Sequence, residues 1–94
     1  MRQLIALVIG LMSASVTTAA EPPVGAAACS GCHTASVNVA SAVPRLLGLK
    51  QAAIVQAMQD FRSGRRTATV MDRIAKGFSD EEIQAIAAWY AKQP

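Results

Sequence analysis

The run Cys29-Ser30-Gly31-Cys32-His33 carries the most specific chemistry in this sequence. Two thiols three positions apart can each form a thioether to a vinyl group of one haem. The imidazole that follows is then held beneath the ring with a nitrogen free for iron. C-x-x-C-H is the attachment signature of c-type haem. His33 is the one histidine of the chain, and Cys29 and Cys32 are its two cysteines. The rival readings ask for something else. A structural zinc site takes four protein ligands, and three Cys/His side chains fall short. A thioredoxin-like redox pair sits in a βαβ context, and no stretch here alternates as strands do. A disulfide across two intervening residues closes too small a loop to gain much chain entropy. The motif therefore predicts one covalent haem c, with His33 as an axial ligand.

Iron bound by one His keeps a further axial position. Met is the usual second ligand of electron-transfer centres and raises their potential. Its soft thioether suits reduced iron. Met58 and Met71 are the candidates downstream of the motif. Met58 lies at helical spacing between Ile54 and Phe61, which reads as core filling. Met71 ends a loop, from which a side chain can reach the far face of the cofactor, so Met71 is the predicted ligand. A ligating His normally donates its other ring N–H to an oxygen that fixes its orientation. The Pro44 carbonyl is a candidate acceptor, since a fixed φ makes a rigid platform. An ordinary turn proline is the alternative.

The elements that must position these groups read as helices. Pro22-Pro23 followed by Val24 to Ala28 predicts a short helix running into the motif. Thr34 to Val43 is small and polar and reads as a loop, followed by Pro44 to Leu49, punctuated by Pro and Gly. Residues 50–62 predict a helix burying Ile54, Ala57, Met58 and Phe61, with Gly64 as its left-handed cap. Asp72 to Lys76 predicts a brief helical turn closed by Gly77. The last helix has the clearest start. Ser79 and Glu82 form a capping box, and Phe78 can staple onto Ile83. Asp80, Glu81 and Glu82 fill the first turn, where the helix dipole favours negative charge. Ile83, Ile86, Ala87 and Tyr90 form its buried face, with Trp89 at the edge and both aromatics read as core. The fold class predicted is all-α, with three main helices wrapped on a cofactor.

Residues 1–20 read as a secretory signal peptide. Arg2 supplies the positive start, and Leu4 to Met12 is too short an apolar run to span a bilayer. Thr18-Ala19-Ala20 is a cleavage site of small residues. Residues 21–94 would then be one exported domain with no membrane span, in the periplasm, where c-type haem attachment takes place in bacteria. That leaves 74 of the 94 residues, a small core that a covalent haem would staple. Removing Arg2 lowers the formal charge from +3 to +2, too mild for a nucleic-acid partner. Arg62, Arg65, Arg66, Arg73 and Lys76 form a basic cluster, either a docking patch, partners for haem propionates, or a solvated face.

Cys29-x-x-Cys32-His33, Pro44-x-Leu46-x-Gly48, Met71 and a C-terminal amphipathic helix ending in aromatics together resemble the class I cytochromes c. That resemblance spans residues 21–94. It implies thioethers at Cys29 and Cys32, axial ligation by His33 and Met71, and a Pro44 carbonyl that accepts from His33. The stretch Phe61-Arg62-Ser63-Gly64, then Thr69 through Ser79, is similar to the cytochrome subunit of flavocytochrome c sulfide dehydrogenases. It implies electron transfer from a flavoprotein (FAD) subunit to a soluble acceptor, with no catalysis by this polypeptide alone. The chain departs from that group in having one haem motif where some members carry two. Thr34 also stands where Gly often follows the His. A free-standing monohaem carrier and a ligand-sensing haem are the competing functions.

Overall fold

The computed structural model describes residues 10, 13–15, 21–36 and 41–94. The leader reading of residues 1–20 therefore lies largely outside the described residues. Four helices follow in order: α1 (Ala26–Cys29), α2 (Gln51–Ser63), α3 (Met71–Ala75) and α4 (Asp80–Ala91). The all-α expectation holds, with no strand among the described residues. Two helices are long and two are about one turn, rather than three main helices.

α4 is the organising element. Ser79 accepts from the Glu82 backbone N–H, and the Glu82 carboxylate accepts from the Ser79 N–H at 2.9 Å, which completes the predicted capping box. These bonds hold the Glu82 carboxyl below its ordinary value. Ile83, Ile86, Ala87 and Tyr90 are all buried, as their spacing requires. Phe78 packs against the cluster that contains Ile83, as a staple would. α4 packs on both α1 and α2, and α3 packs on α2. Arg62 of α2 ties these parts together by an ion pair to Asp80 and a 3.4 Å bond to the Phe78 carbonyl.

α2 starts one residue later than its pattern suggests, with Lys50 as an extended N-cap. It ends at Gly64, whose φ of 82° is the expected left-handed cap. Ile54 is buried and Met58 packs against the core, but Val55 is buried too, and Ala57 and Phe61 are only half-buried. The stripe is wider and rotated because α2 is gripped on two sides, by α3 and α4. α3 begins at Met71 itself, so this residue opens a helix instead of closing a loop.

α1 begins at Ala26, later than Val24, because Gly25 sits at φ 89° and cannot join a right-handed helix. Its position is also sterically required. A Cβ at Gly25 would lie 2.5 Å from the Phe78 ring and 3.4 Å from Ile86. Beside it, Ala26 is fully buried, and the Tyr90 hydroxyl donates to the Ala26 carbonyl. Tyr90 and Trp89 stack edge to face at 4.9 Å, so both belong to the core side of α4.

Gly25→Ala in the haem-loaded protein should lower unfolding stability by about 1–3 kcal/mol through overpacking, beyond its backbone strain. Gly64→Ala isolates the strain, since nothing lies within 4 Å of a Cβ there. Guanidinium unfolding should rank Gly25→Ala as clearly the worse; equal losses would dismiss the Phe78 contact as the constraint. Acid sensitivity follows from Glu82. Its depressed carboxyl contributes stability above the ordinary value of 4.5, and that contribution is lost as pH falls through the lowered folded value. Glu82→Gln should therefore flatten the acid limb of a stability-against-pH curve between 4.5 and the lowered folded value, and an unchanged slope would place the acid sensitivity elsewhere.

Candidate functional site

α1 does not stop cleanly at Cys29. Ser30 stays in the right-handed helical region and its hydroxyl donates to Ala27. The Cys32 N–H reaches the Cys29 carbonyl at 3.3 Å, and the His33 N–H reaches the same oxygen at 2.9 Å. Cys29, Cys32 and His33 thus occupy i, i+3 and i+4 of one continuous turn. Those positions share a face of a helix. No disulfide joins the two cysteines; Cys29 is half-buried and Cys32 exposed. Burial pushes the Cys29 thiol up, partly offset by a hydrogen bond at its own backbone. Tyr90 is raised as well, first by burial and then by the nearby charge of a Cys29 thiolate. A thioether at Cys29 would remove that second cause, because it cannot ionise.

His33 Nδ1 lies 2.6 Å from the Pro44 carbonyl oxygen. A carbonyl only accepts, so Nδ1 carries the proton and Nε2 holds a free lone pair. This is the arrangement a metal-bound imidazole needs. Pro44 is therefore more than a turn residue. Its segment is fixed in turn by the Gly48 N–H, which donates to Tyr90 at 3.1 Å, and by Leu46 and Leu47 packing on the core.

Met71 is half-buried at the start of α3 and stands outside the main core cluster, which Met58 joins. No packing connects α1 with α3. The thiols and imidazole thus belong to one wall, and Met71 to another. Val43 precedes Pro44 and Val70 precedes Met71 in the sequence, and both are exposed, as is Ile74 of α3. The residues present fit a covalent haem by their chemistry: two thiols on one turn and an imidazole whose Nε2 is left free. A cleft of about 370 Å³ is lined by His33 together with Ala27, Leu47 and Trp89, and neither cysteine nor Met71 lines it.

The basic cluster does not form one patch. Arg62 is tied to Asp80, Arg65 pairs with Asp60 at 3.4 Å, and Arg66 lies over the Phe61 ring at 4.9 Å. Arg73 and Lys76 stay exposed on and just after α3. Two residues that sequence reasoning passed over matter here. Gly25 sets α1 on α4, and Arg45 follows Pro44 with a buried guanidinium nitrogen, Nε, that has no partner among the described residues.

No protein-family model matches the chain. Individual relatives do. Cytochrome c-554(548) of Halomonas halodenitrificans is 35% identical over 69 residues, covering 69% of this chain and 83% of the relative. The chain belongs to the class I c-type cytochromes. The cytochrome subunit of sulfide dehydrogenase from Chlorobaculum tepidum is 44% identical over 62 residues, covering 66% of this cytochrome and 56% of the relative. The thiosulfate dehydrogenase electron acceptor of Stutzerimonas stutzeri is 39% identical over 71 residues, 73% of this chain and 33% of its own. This cytochrome thus spans about half the length of the sulfide dehydrogenase subunit and a third of the thiosulfate dehydrogenase electron acceptor. Covalent haem c is the cofactor of the family, and the two cysteines stand at its spacing. Among the described residues no helix is long and apolar enough to cross a membrane.

Proposed function

We propose that this cytochrome is a one-electron carrier, the haem subunit that accepts electrons from a sulfide-oxidising flavoprotein and passes them to a soluble acceptor. The observation that carries the reading is the single turn that presents Cys29, Cys32 and His33 together, with His33 Nδ1 held by Pro44. Cys29 and Cys32 form the thioethers, His33 Nε2 and the Met71 sulfur bind iron, and Pro44 fixes the imidazole. Haem bound in this way supplies a one-electron Fe(III)/Fe(II) couple. The chain's own residues do the rest. The turn after α1 holds both thiols in register, and the Pro44 carbonyl keeps His33 Nε2 free for iron. Sulfide chemistry would belong to the partner, and this chain would carry the electrons away one at a time. Support for that partner comes from the likeness to a sulfide dehydrogenase cytochrome subunit, and from the shared stretch around Met71. Residues 1–20 would be removed on export, which places residues 21–94 in the periplasm.

A second reading, a free-standing carrier, draws support from the match to cytochrome c-554(548), which this chain covers over most of its length. Native purification separates the two. A c-type spectrum that co-elutes with flavin and is reduced by sulfide is the expected result. Haem eluting alone, low-spin and inert to sulfide, would favour the independent carrier. Neither would survive an oxidised protein that binds exogenous ligands in an open iron site.

Met71→Ala should lower the midpoint potential by more than about 59 mV, a tenfold change for a one-electron couple. It should also let the reduced iron take up carbon monoxide. Met58→Ala should leave both unchanged and cost core stability of about 2–5 kcal/mol if its cavity fails to collapse. The reverse pattern in redox titration and carbon monoxide spectra would move the ligand to Met58.

A further inference from the structure

Arg45 sits one peptide bond beyond Pro44, whose carbonyl holds His33. The side chain is half-buried, and its Nε is sealed from solvent without an acceptor among the described residues. An unsatisfied buried N–H of a charged group is among the most expensive polar defects a protein can carry. The chain's other arginines on α2 and after it show the contrast. Arg62 has Asp80, Arg65 has Asp60, and Arg66 has an aromatic face. The available carboxylates are already committed or elsewhere. Asp60 and Asp80 are in those pairs, and Glu82 closes the capping box. Asp72 makes no ion pair with Arg45 and keeps a buried oxygen unpartnered itself. A planar guanidinium fork matches the geometry of an oxyanion such as a carboxylate. An anion that the described residues do not supply would satisfy it, beside the segment that orients His33. Haem carries two such carboxylates, its propionates.

We propose that Arg45 is the propionate-binding residue of this cytochrome, its guanidinium bonded to one haem propionate through the buried Nε. The assignment rests on the haem reading above. One loop then does two jobs: the Pro44 carbonyl sets the imidazole, and the next side chain fixes the edge of the macrocycle. Electrostatics gives the consequence a sign. A propionate anion favours Fe(III), the more positive state, and a guanidinium against it cancels that preference. Arg45 thus favours the reduced haem.

The test uses the mature haem-loaded protein. Pyridine haemochrome and the visible spectrum first establish covalent low-spin haem; their absence in the wild type would overturn the haem reading itself. Redox titration of Arg45→Gln should then show a lower midpoint potential, with a fall in the reduced-to-oxidised ratio of about tenfold at fixed poise, or 59 mV. Arg45→Lys, which keeps the charge but not the fork, should recover most of that shift. A normal haem spectrum with an unmoved potential in Arg45→Gln would overturn the assignment, and a loss of thermal stability alone would make Arg45 a support of its own loop. If the Gln variant does not mature, ¹⁵N-labelled wild type decides. The Arg45 Nε–H should be protected from exchange and show contacts to propionate methylene protons, and a freely exchanging Nε–H without them would equally sink the proposal.

Discussion

The site depends on how a helix of four residues is held in place. Isolated helices much longer than α1 are marginal in water, so α1 cannot define its own position. Its support comes from α4 and the residue before it. Phe78 presses on the bare Cα of Gly25, Ala26 is sealed into the core, and the Tyr90 hydroxyl satisfies the Ala26 carbonyl. Removing the hydroxyl would leave a buried acceptor exposed to nothing, at a cost of about 1–3 kcal/mol. The thiols and the imidazole hang from the end of this helix, so their placement follows directly from that junction.

The same α4 reaches the other side of His33. Gly48 donates to the Tyr90 carbonyl, and Leu46 and Leu47 pack onto the cluster built around α4. Pro44 is thereby fixed relative to the turn that carries His33, although the two lie on separate stretches of chain. A hydrogen bond of 2.6 Å between Nδ1 and the Pro44 oxygen then follows from two anchors on one helix. Met71 is reached by a different route, through α2 and α3. The turn that carries His33 and the helix that carries Met71 are therefore connected only by way of α4 and α2 among the described elements.

What the sequence showed and what it hid divide along the range of the interactions. α4 was legible because its signals are local: a capping box, three acids in the first turn and a buried stripe at helical spacing. The haem motif was legible because its residue types and spacing are the chemistry. The edge of α1 was not, since Gly25 starts it from a left-handed φ, at a place where Phe78, far along the chain, leaves no room for a Cβ. Val55 was missed because a single-face pattern does not anticipate packing on two sides. Pro44 could not be told from a turn proline by type alone, and the family likeness raised it. The five basic residues after Phe61 looked like one surface in the sequence. Only the fold shows Arg62 and Arg65 consumed by acids within the chain. Arg45 gave no local signal at all, because its meaning lies in an acceptor that is missing.

The bond from Tyr90 to Ala26 spans 64 positions of sequence. Closing a loop of that length costs chain entropy before any contact compensates for it. The attachment turn therefore cannot be locked until the last helix of the chain has formed and docked. During synthesis, Cys29 and Cys32 precede the element that will fix them. They stay open to modification for as long as the C-terminal helix is absent. The topology thus orders events in time: thioether chemistry has access to a pliant segment first, and the helix that closes over it arrives last.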